Sequence, residues 1–203
     1  MSSVQPVRDA YSSLSQQYIG LFDGTWQEHE DDTALVRRHL TGLPGLVLDL
    51  GCGPGHWTAY LHSLGAVVTG VDMVPEFIAH ARATHLDSSF RLGSMTELDV
   101  PDYSVAGILA WYSTIHLPPP ELDRVLTEFR RLLAPSGVLV IGFFDSDDDV
   151  AAFDHKVITA YRWPVDAFAE HLQAAGFVEV QRRQHQVAER PDRKYAAVAA
   201  RAS

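Results

Sequence analysis

The stretch Val47-Leu48-Asp49-Leu50-Gly51-Cys52-Gly53-Pro54-Gly55 narrows what this chain can fold into more than any other. An apolar run turns acidic and then reads Gly-x-Gly-x-Gly. Such a run ends a buried strand, after which the chain must turn tightly into a helix with no side chains in the way. Three glycines let the backbone turn at positive φ and let a ligand lie directly against it. An amphipathic pattern follows, carried by Trp57, Tyr60, Leu61 and Leu64, and this strand–turn–helix context makes the turn informative. Twenty-one residues past Gly51, Asp72 closes a second apolar run, Val67-Val68-Thr69-Gly70-Val71. An acid there sits beside the first strand's ligand and can accept hydrogen bonds from both ribose hydroxyls. The expected ligand is a nucleoside.

Spacing narrows the choice of nucleoside. A dinucleotide fingerprint reads Gly-x-Gly-x-x-Gly, its third glycine letting the helix pack close to a pyrophosphate. Counting from Gly51, that third position is His56; counting from Gly53, it is Thr58. Neither fits. Instead Asp49 stands two residues before the first glycine, where a carboxylate suits an ammonium group rather than a diphosphate. An NAD-binding oxidoreductase shares the strand, the turn and Asp72 but lacks its third glycine. A non-catalytic binding protein that keeps the fold also remains open, since a retained site does not establish turnover.

Asp49-x-Gly51-x-Gly53-x-Gly55 followed by Gly70-Val71-Asp72 resembles motifs one and two of class I S-adenosylmethionine-dependent methyltransferases, and the resemblance runs from about Tyr11 to the C-terminus. It implies S-adenosylmethionine as cofactor and S-adenosylhomocysteine as product. It further implies that the loop of Gly51, Cys52, Gly53 and Gly55, with Asp49, lies against the amino-acid part of the cofactor. Asp72 is then the ribose ligand, and Met73 packs on the adenine. A third motif, usually Gly-Asp, reads Gly93-Ser94-Met95 here. Ser94 replaces the acid at the adenine amino group, although its hydroxyl can still accept a hydrogen bond.

The composition bounds the rest. With 203 residues and 46% hydrophobic, the chain suits one methyltransferase domain, residues 1–203: an N-terminal helical cap over 1–42 and a cofactor-binding core over 43–203. A net charge of −10 disfavours nucleic acid and anionic membranes as partners. The basic clusters at Arg182-Arg183 and Arg190/Arg193-Lys194 read as solvated edge residues. The one cysteine, Cys52, excludes an intramolecular disulfide, and residues 1–6 show no basic region leading into an apolar core. A soluble cytoplasmic protein, monomer or homodimer, is expected. Ten histidines include no His-x-x-x-His pair, and the acidic run Asp145, Asp147, Asp148 and Asp149 reads as a solvated loop. Some methyltransferases of small phenols hold a metal by a carboxylate after the fourth strand; here Trp111-Tyr112-Ser113 stands in that place. No metal is expected.

Along the chain, strand-like and helical runs alternate, the pattern of a parallel sheet covered on both faces. Helices are predicted over 8–22, 31–41, 75–85, 121–133 and 165–175, and strands over 46–51, 66–71, 89–92, 105–111 and 138–144. Two closing runs, 177–187 and 194–201, are joined by a polar turn at Glu189-Arg190-Pro191-Asp192. The fold class expected is α/β: a Rossmann-like, seven-stranded, mostly parallel sheet with an antiparallel last strand, helices on both faces and an N-terminal helical lid.

In an open α/β sheet, ligands bind beyond the carboxyl ends of the strands. The second substrate then belongs near the ends of strands four and five, beneath the N-terminal helix. Trp111 suits either core packing or cofactor contact. Tyr11 and Tyr18 either staple the helix to the domain or close the cofactor pocket, where their rings face the sulfonium. His116 either caps its turn or acts as general base, with Tyr112 and His155 as the next candidates. Tyr161, Arg162 and Trp163 place a guanidinium between two aromatics, which suits a planar or anionic acceptor; Trp163 before Pro164 also suits a helix anchor. Together Tyr112, His116, His155, Tyr161, Arg162 and Trp163 are the candidate acceptor-binding residues. The expected partner is a small aromatic or acidic molecule.

Overall fold

A computed structural model describes residues 4–22, 29–187 and 190–203, with the side chains of 187 and 190–192 outside the description. Its helices are α1 (Val4–Ser13), α2 (Ser15–Gly20), α3 (Glu30–Leu40), α4 (His56–Ser63), α5 (Pro75–Thr84), α6 (Pro119–Leu132) and α7 (Val165–Ala174). Its strands are β1 (Val47–Leu50), β2 (Val68–Asp72), β3 (Ser89–Leu92), β4 (Val105–Trp111), β5 (Leu133–Asp145), β6 (Ala151–Phe153), β7 (Ala160–Trp163), β8 (Phe177–Val187) and β9 (Arg190–Ala202). The predicted turn at 189–192 lies outside the described side chains.

The sheet runs β3-β2-β1-β4-β5 in parallel, and β9 then pairs antiparallel with both β5 and β8. Period-two alternation sorts the central strands onto two cores. Leu48, Leu50, Ile108, Ala110, Leu139, Ile141 and Phe143 face one layer with Leu122, Val125, Leu126, Phe129, Phe168 and Leu172 of α6 and α7. Val47, Leu109, Trp111, Val138 and Val140 face the other with Leu35, Val36, Leu40, Trp57 and Leu61 of α3 and α4. Burial on both faces explains why these strands read as nearly unbroken apolar runs.

Three expectations need correction. The sheet has nine strands among the described residues rather than seven. The extra pair, β6 and β7, arises because β4 ends with Trp111 opposite Gly142, whereas β5 continues to Asp145. With β9 on its other edge, β5 pairs parallel with β7 through Phe144↔Arg162 and Asp145↔Trp163 on the edge that β4 has left. The single N-terminal helix breaks at Leu14 into α1 and α2. A straight helix sets residues seven apart about 10 Å along its axis; the break brings the Tyr11 and Tyr18 rings to 5.5 Å, both against Phe77. Finally, of the expected 1–42 cap only α1 and α2 lie over the ligand cavities, while α3 is part of the packed layer.

Candidate active site

β1 hands over to a turn whose geometry rests on backbone alone. The N–H groups of Gly51 and Cys52 both donate to the Val71 carbonyl, at 2.7 and 3.1 Å, tying the turn to β2. Gly51 sits at φ 79°, and a Cβ there would stand 2.3 Å from the Ser113 Cβ. Gly53, at φ 52°, faces the cavities with its backbone and donates its N–H to Asp72 Oδ2 at 2.9 Å. Gly55 has a different job: a Cβ would meet Phe90 at 2.8 Å and Ala81 at 2.9 Å, so it lets α4 pack close and lines neither cavity.

Two buried carboxylates face this turn. Asp72 accepts from Gly53 through Oδ2 and from the Val74 N–H through Oδ1 at 2.8 Å. Each oxygen keeps a further lone pair for a ligand hydroxyl. Burial pushes its carboxyl up to about 6. Asp49, 1% exposed, accepts the Thr58 hydroxyl at 2.6 Å. Burial pushes it up to about 7 although the Thr58 bond pulls the other way. Cys52 is buried beside Ile78, Ala81 and Phe90, and its thiol is raised by that burial.

Two cavities meet here. The first is lined by Asp72, Met73, Val74, Phe77, Gly93, Ser94 and Met95 under Val4 and Val7 of α1. The second, of about 490 Å³, opens from Asp49, Gly51, Cys52 and Gly53 toward Phe144, Phe153, His155 and Arg162. Its size falls in the range of small-molecule sites. Tyr11, Tyr18, Gly51, Gly53, Trp111 and Tyr112 line both. Ser94 lies on the first, its hydroxyl sharing a hydrogen bond with Thr96 at 2.8 Å. Ser113 Oγ is buried beside Gly51 with no hydrogen-bond partner among the described residues. A turn with no room for a Cβ, an orphaned hydroxyl and two buried carboxylates fit the amino acid and ribose of S-adenosylmethionine.

The segment after β4 supplies the other wall. Trp111 packs edge-on to Trp57 at 5.3 Å, and a Cβ on Gly142 would stand 3.0 Å from its ring. Tyr112 adopts φ 51°, a left-handed turn that swings its ring toward Phe144 and Tyr195 at 5.5 and 5.9 Å. His116 is 5% exposed. Its Nδ1 lies 2.8 Å from the Thr159 carbonyl, which only accepts, so Nδ1 carries the proton. Its Nε2 then accepts from the Tyr11 hydroxyl at 2.9 Å. Burial lowers the His116 pKa and raises that of Tyr11 above the ordinary phenol value. His155 stands edge-on to His116 at 5.3 Å.

The predicted trio at 161–163 is divided by strand alternation. Trp163, 2% exposed, points into the core against Phe168 and His171. Tyr161 packs on the same core, its N–H bonded to the Ile115 carbonyl at 2.8 Å. Neither lines a cavity. Only Arg162 reaches the second one, its guanidinium 4.3 Å over the Phe153 ring. Sequence reasoning missed Phe144, Phe153, Lys156, Arg193 and Tyr195 on this wall. The available signal was the register Phe144↔Tyr195 of the two apolar runs, which no single run contains.

Residues 47–137 match a family described as the methyltransferase domain. Over 94 residues the chain is 34% identical to malonyl-[acyl-carrier protein] O-methyltransferase of Pectobacterium atrosepticum, covering 46% of this chain and 36% of that protein. Over 119 residues it is 33% identical to ubiquinone biosynthesis O-methyltransferase of Xanthomonas oryzae, covering 56% and 48%. The chain thus spans about half or less of the length of these curated relatives. Among solved structures, the 1,6-didemethyltoxoflavin-N1-methyltransferase of Burkholderia thailandensis, with bound 1,6-didemethyltoxoflavin and S-adenosylhomocysteine, superposes with a TM-score of 0.81 at 26% identity, over 98% of this chain and 88% of that one. Magnesium protoporphyrin IX methyltransferase of Synechocystis shares the fold at a TM-score of 0.75 and 19% identity, over 100% and 98%. Residues 47–137 belong to the methyltransferase-domain family, and motif, sheet order, site and relatives together support a class I S-adenosylmethionine-dependent methyltransferase.

Proposed function

We propose that the chain transfers a methyl group to a small-molecule acceptor held in the second cavity, without a metal ion. The observation that carries this reading is the junction of the two cavities at Gly51, Tyr11 and Tyr112, with a ribose-type acid on one side and an aromatic wall on the other. S-adenosylmethionine supplies the reaction with an electrophilic methyl on a sulfonium. Asp72 receives the ribose hydroxyls, Met73 lies against the adenine, and Asp49 faces the ammonium. Tyr11 of α1 and Tyr18 of α2 line both cavities at the junction, and alignment of the two reactants between them contributes to the rate. Among the described residues no three of His, Cys, Asp or Glu converge as a metal would require, and no helix there is long and apolar enough to cross a membrane. Arg162 on the cavity wall supports an aromatic or acidic acceptor.

An acceptor that arrives as a hydroxyl or ammonium must lose a proton. Tyr11 Oη, on both cavities, takes that proton while its own passes to His116 Nε2. S-adenosylmethionine, when bound, would supply the methyl carbon to the acceptor's freed electron pair and keep the carbon–sulfur pair on its sulfur. With the proton on His116 Nε2, the net charge of the site would be unchanged. With an accepted substrate, His116→Ala should lower kcat by about 10²–10⁴-fold while leaving S-adenosylhomocysteine affinity within about threefold. Full turnover in that variant across pH 6 to 9, a range set around the histidine reference value, would remove the base role.

Calorimetry with S-adenosylhomocysteine and NADH tests the cofactor reading. Saturable binding of the first alone supports it; binding of NADH alone moves the chain to the oxidoreductases. A pH series adds a sharper check on Asp49. Its free-protein value is about 7, and a neighbouring ammonium pulls that value down. Binding therefore favours the carboxylate and weakens as pH falls through 7. Between pH 8 and pH 6 the loss should be about twentyfold, about tenfold from Asp49 and about twofold from Asp72. Asp49→Asn should leave about a twofold slope, contributed by Asp72 near 6. Equal slopes in the two proteins would place the ammonium elsewhere.

A further inference from the structure

We infer that the acceptor is a planar aromatic acid, its ring held in the aromatic part of the second cavity and its carboxylate by Arg162 with Lys156 and Arg193. The inference rests on the methyltransferase reading of that cavity and goes beyond it by naming the acceptor's chemistry. Four rings build the pocket wall. Phe144 contacts Tyr112 at 5.5 Å, Tyr195 at 5.7 Å and, edge-on, Phe153 at 5.3 Å. Such edges and faces accept another flat ring in offset or T-shaped contact.

Three cations share this wall. The Arg162 guanidinium carbon stands 4.3 Å over the Phe153 ring, a contact that leaves guanidinium N–H groups for a carboxylate. Lys156 and Arg193 line the same cavity. Among the described residues none of the three is paired with a carboxylate, whereas neighbouring Lys194 pairs with Asp147. Of the acids nearby, one is held by other partners and one is exposed. Asp145 accepts from Gln184 and from the Ser146 N–H, each at 2.8 Å, and Asp154, also on the cavity, is exposed.

The local field runs against the molecule. A chain of net charge −10 gathers at one aromatic cavity three cations that pair with no carboxylate among the described residues, and low-dielectric walls concentrate such a field on a bound ligand. His155 reports it: its pKa is pushed down to about 4, by burial first and then by the charges of His116, Arg193 and Lys156. A neutral planar acceptor would use the rings and leave the cations idle. An aliphatic acid would use the cations and leave the rings idle. An arene carboxylate uses both.

The test titrates 1-hydroxy-2-naphthoate and 1-hydroxy-2-naphthamide into the S-adenosylhomocysteine complex. The acid is expected to bind at least tenfold more tightly than the amide, and this preference should shrink in 0.5 M salt as charges are screened (Debye length about 4 Å). Arg162→Gln should abolish most of the preference and Lys156→Gln, at an exposed position, part of it. Both variants should bind S-adenosylhomocysteine within threefold of wild type, which excludes misfolding as the cause. Equal affinity for acid and amide, no binding of the acid, or a full preference retained in the double variant would overturn the inference. Failure of wild type to bind S-adenosylhomocysteine would overturn the methyltransferase reading itself, whereas that ligand bound with no preference for the acid overturns only the acceptor class.

Discussion

Asp72→Ala is expected to weaken S-adenosylhomocysteine binding by at least about 100-fold, since two hydrogen bonds to a charged group contribute about 3 kcal/mol or more. The side chain acts twice. Its inner lone pairs hold the Gly53 and Val74 N–H groups, and in the proposed role its outer ones meet the ribose. Alanine removes the ligand contacts and also unfastens the glycine turn from the end of β2. Asp72→Asn keeps one acceptor oxygen and should fall between, near tenfold. Isothermal titration with all three proteins, alongside a thermal melt of each, separates lost contact from lost fold. Affinity within threefold of wild type in a folded Asp72→Ala protein would show that the nucleoside does not use this acid.

The second large effect is on stability. Gly51→Ala places a Cβ 2.3 Å from the Ser113 Cβ, at a φ of 79°. A left-handed conformation costs an alanine roughly 1–2 kcal/mol, and overpacking adds about 1–3 kcal/mol. Ser113 cannot rotate away, because its Cβ is fixed by a backbone that pairs Tyr112 with Gly142 at 3.0 Å. The melting temperature should fall by roughly 10 °C for a chain of this size, and calorimetric scanning would read it directly. A fall of under 2 °C would mean that the turn relaxes freely, contrary to its two bonds to Val71.

Much of the cofactor side was legible in the chain because backbone rules write it there. Glycines that must adopt positive φ, an acid closing the next strand and apolar runs buried on both faces are local signals, and β1, β2, β3 and β4 fall close to where those signals put them. The acceptor side is written in tertiary contacts. Arg162 has Phe153 rather than Tyr161 and Trp163 as its aromatic neighbour, because 160–163 is a strand. Alternation then sends Tyr161 and Trp163 to the core and Arg162 to the cavity. Nothing in four residues announces a strand whose existence depends on β4 ending three residues short of β5. The contact between Tyr11 and His116, 105 residues apart, is equally invisible to any local pattern.

That overhang of β5 bears on how such an enzyme diversifies. A sheet whose strands end flush offers new chain no backbone to join, and an inserted segment must either float as a loop or displace an existing neighbour. Here Phe144 and Asp145 run past the end of β4, and the edge it leaves is taken up by β7, with Phe144 on the wall of the second cavity. Residues 146–158 can therefore change in length and content while the glycine turn keeps its bonds to Val71 and Asp72. Acceptor choice and cofactor use are left free to evolve separately, each on its own part of one continuous sheet.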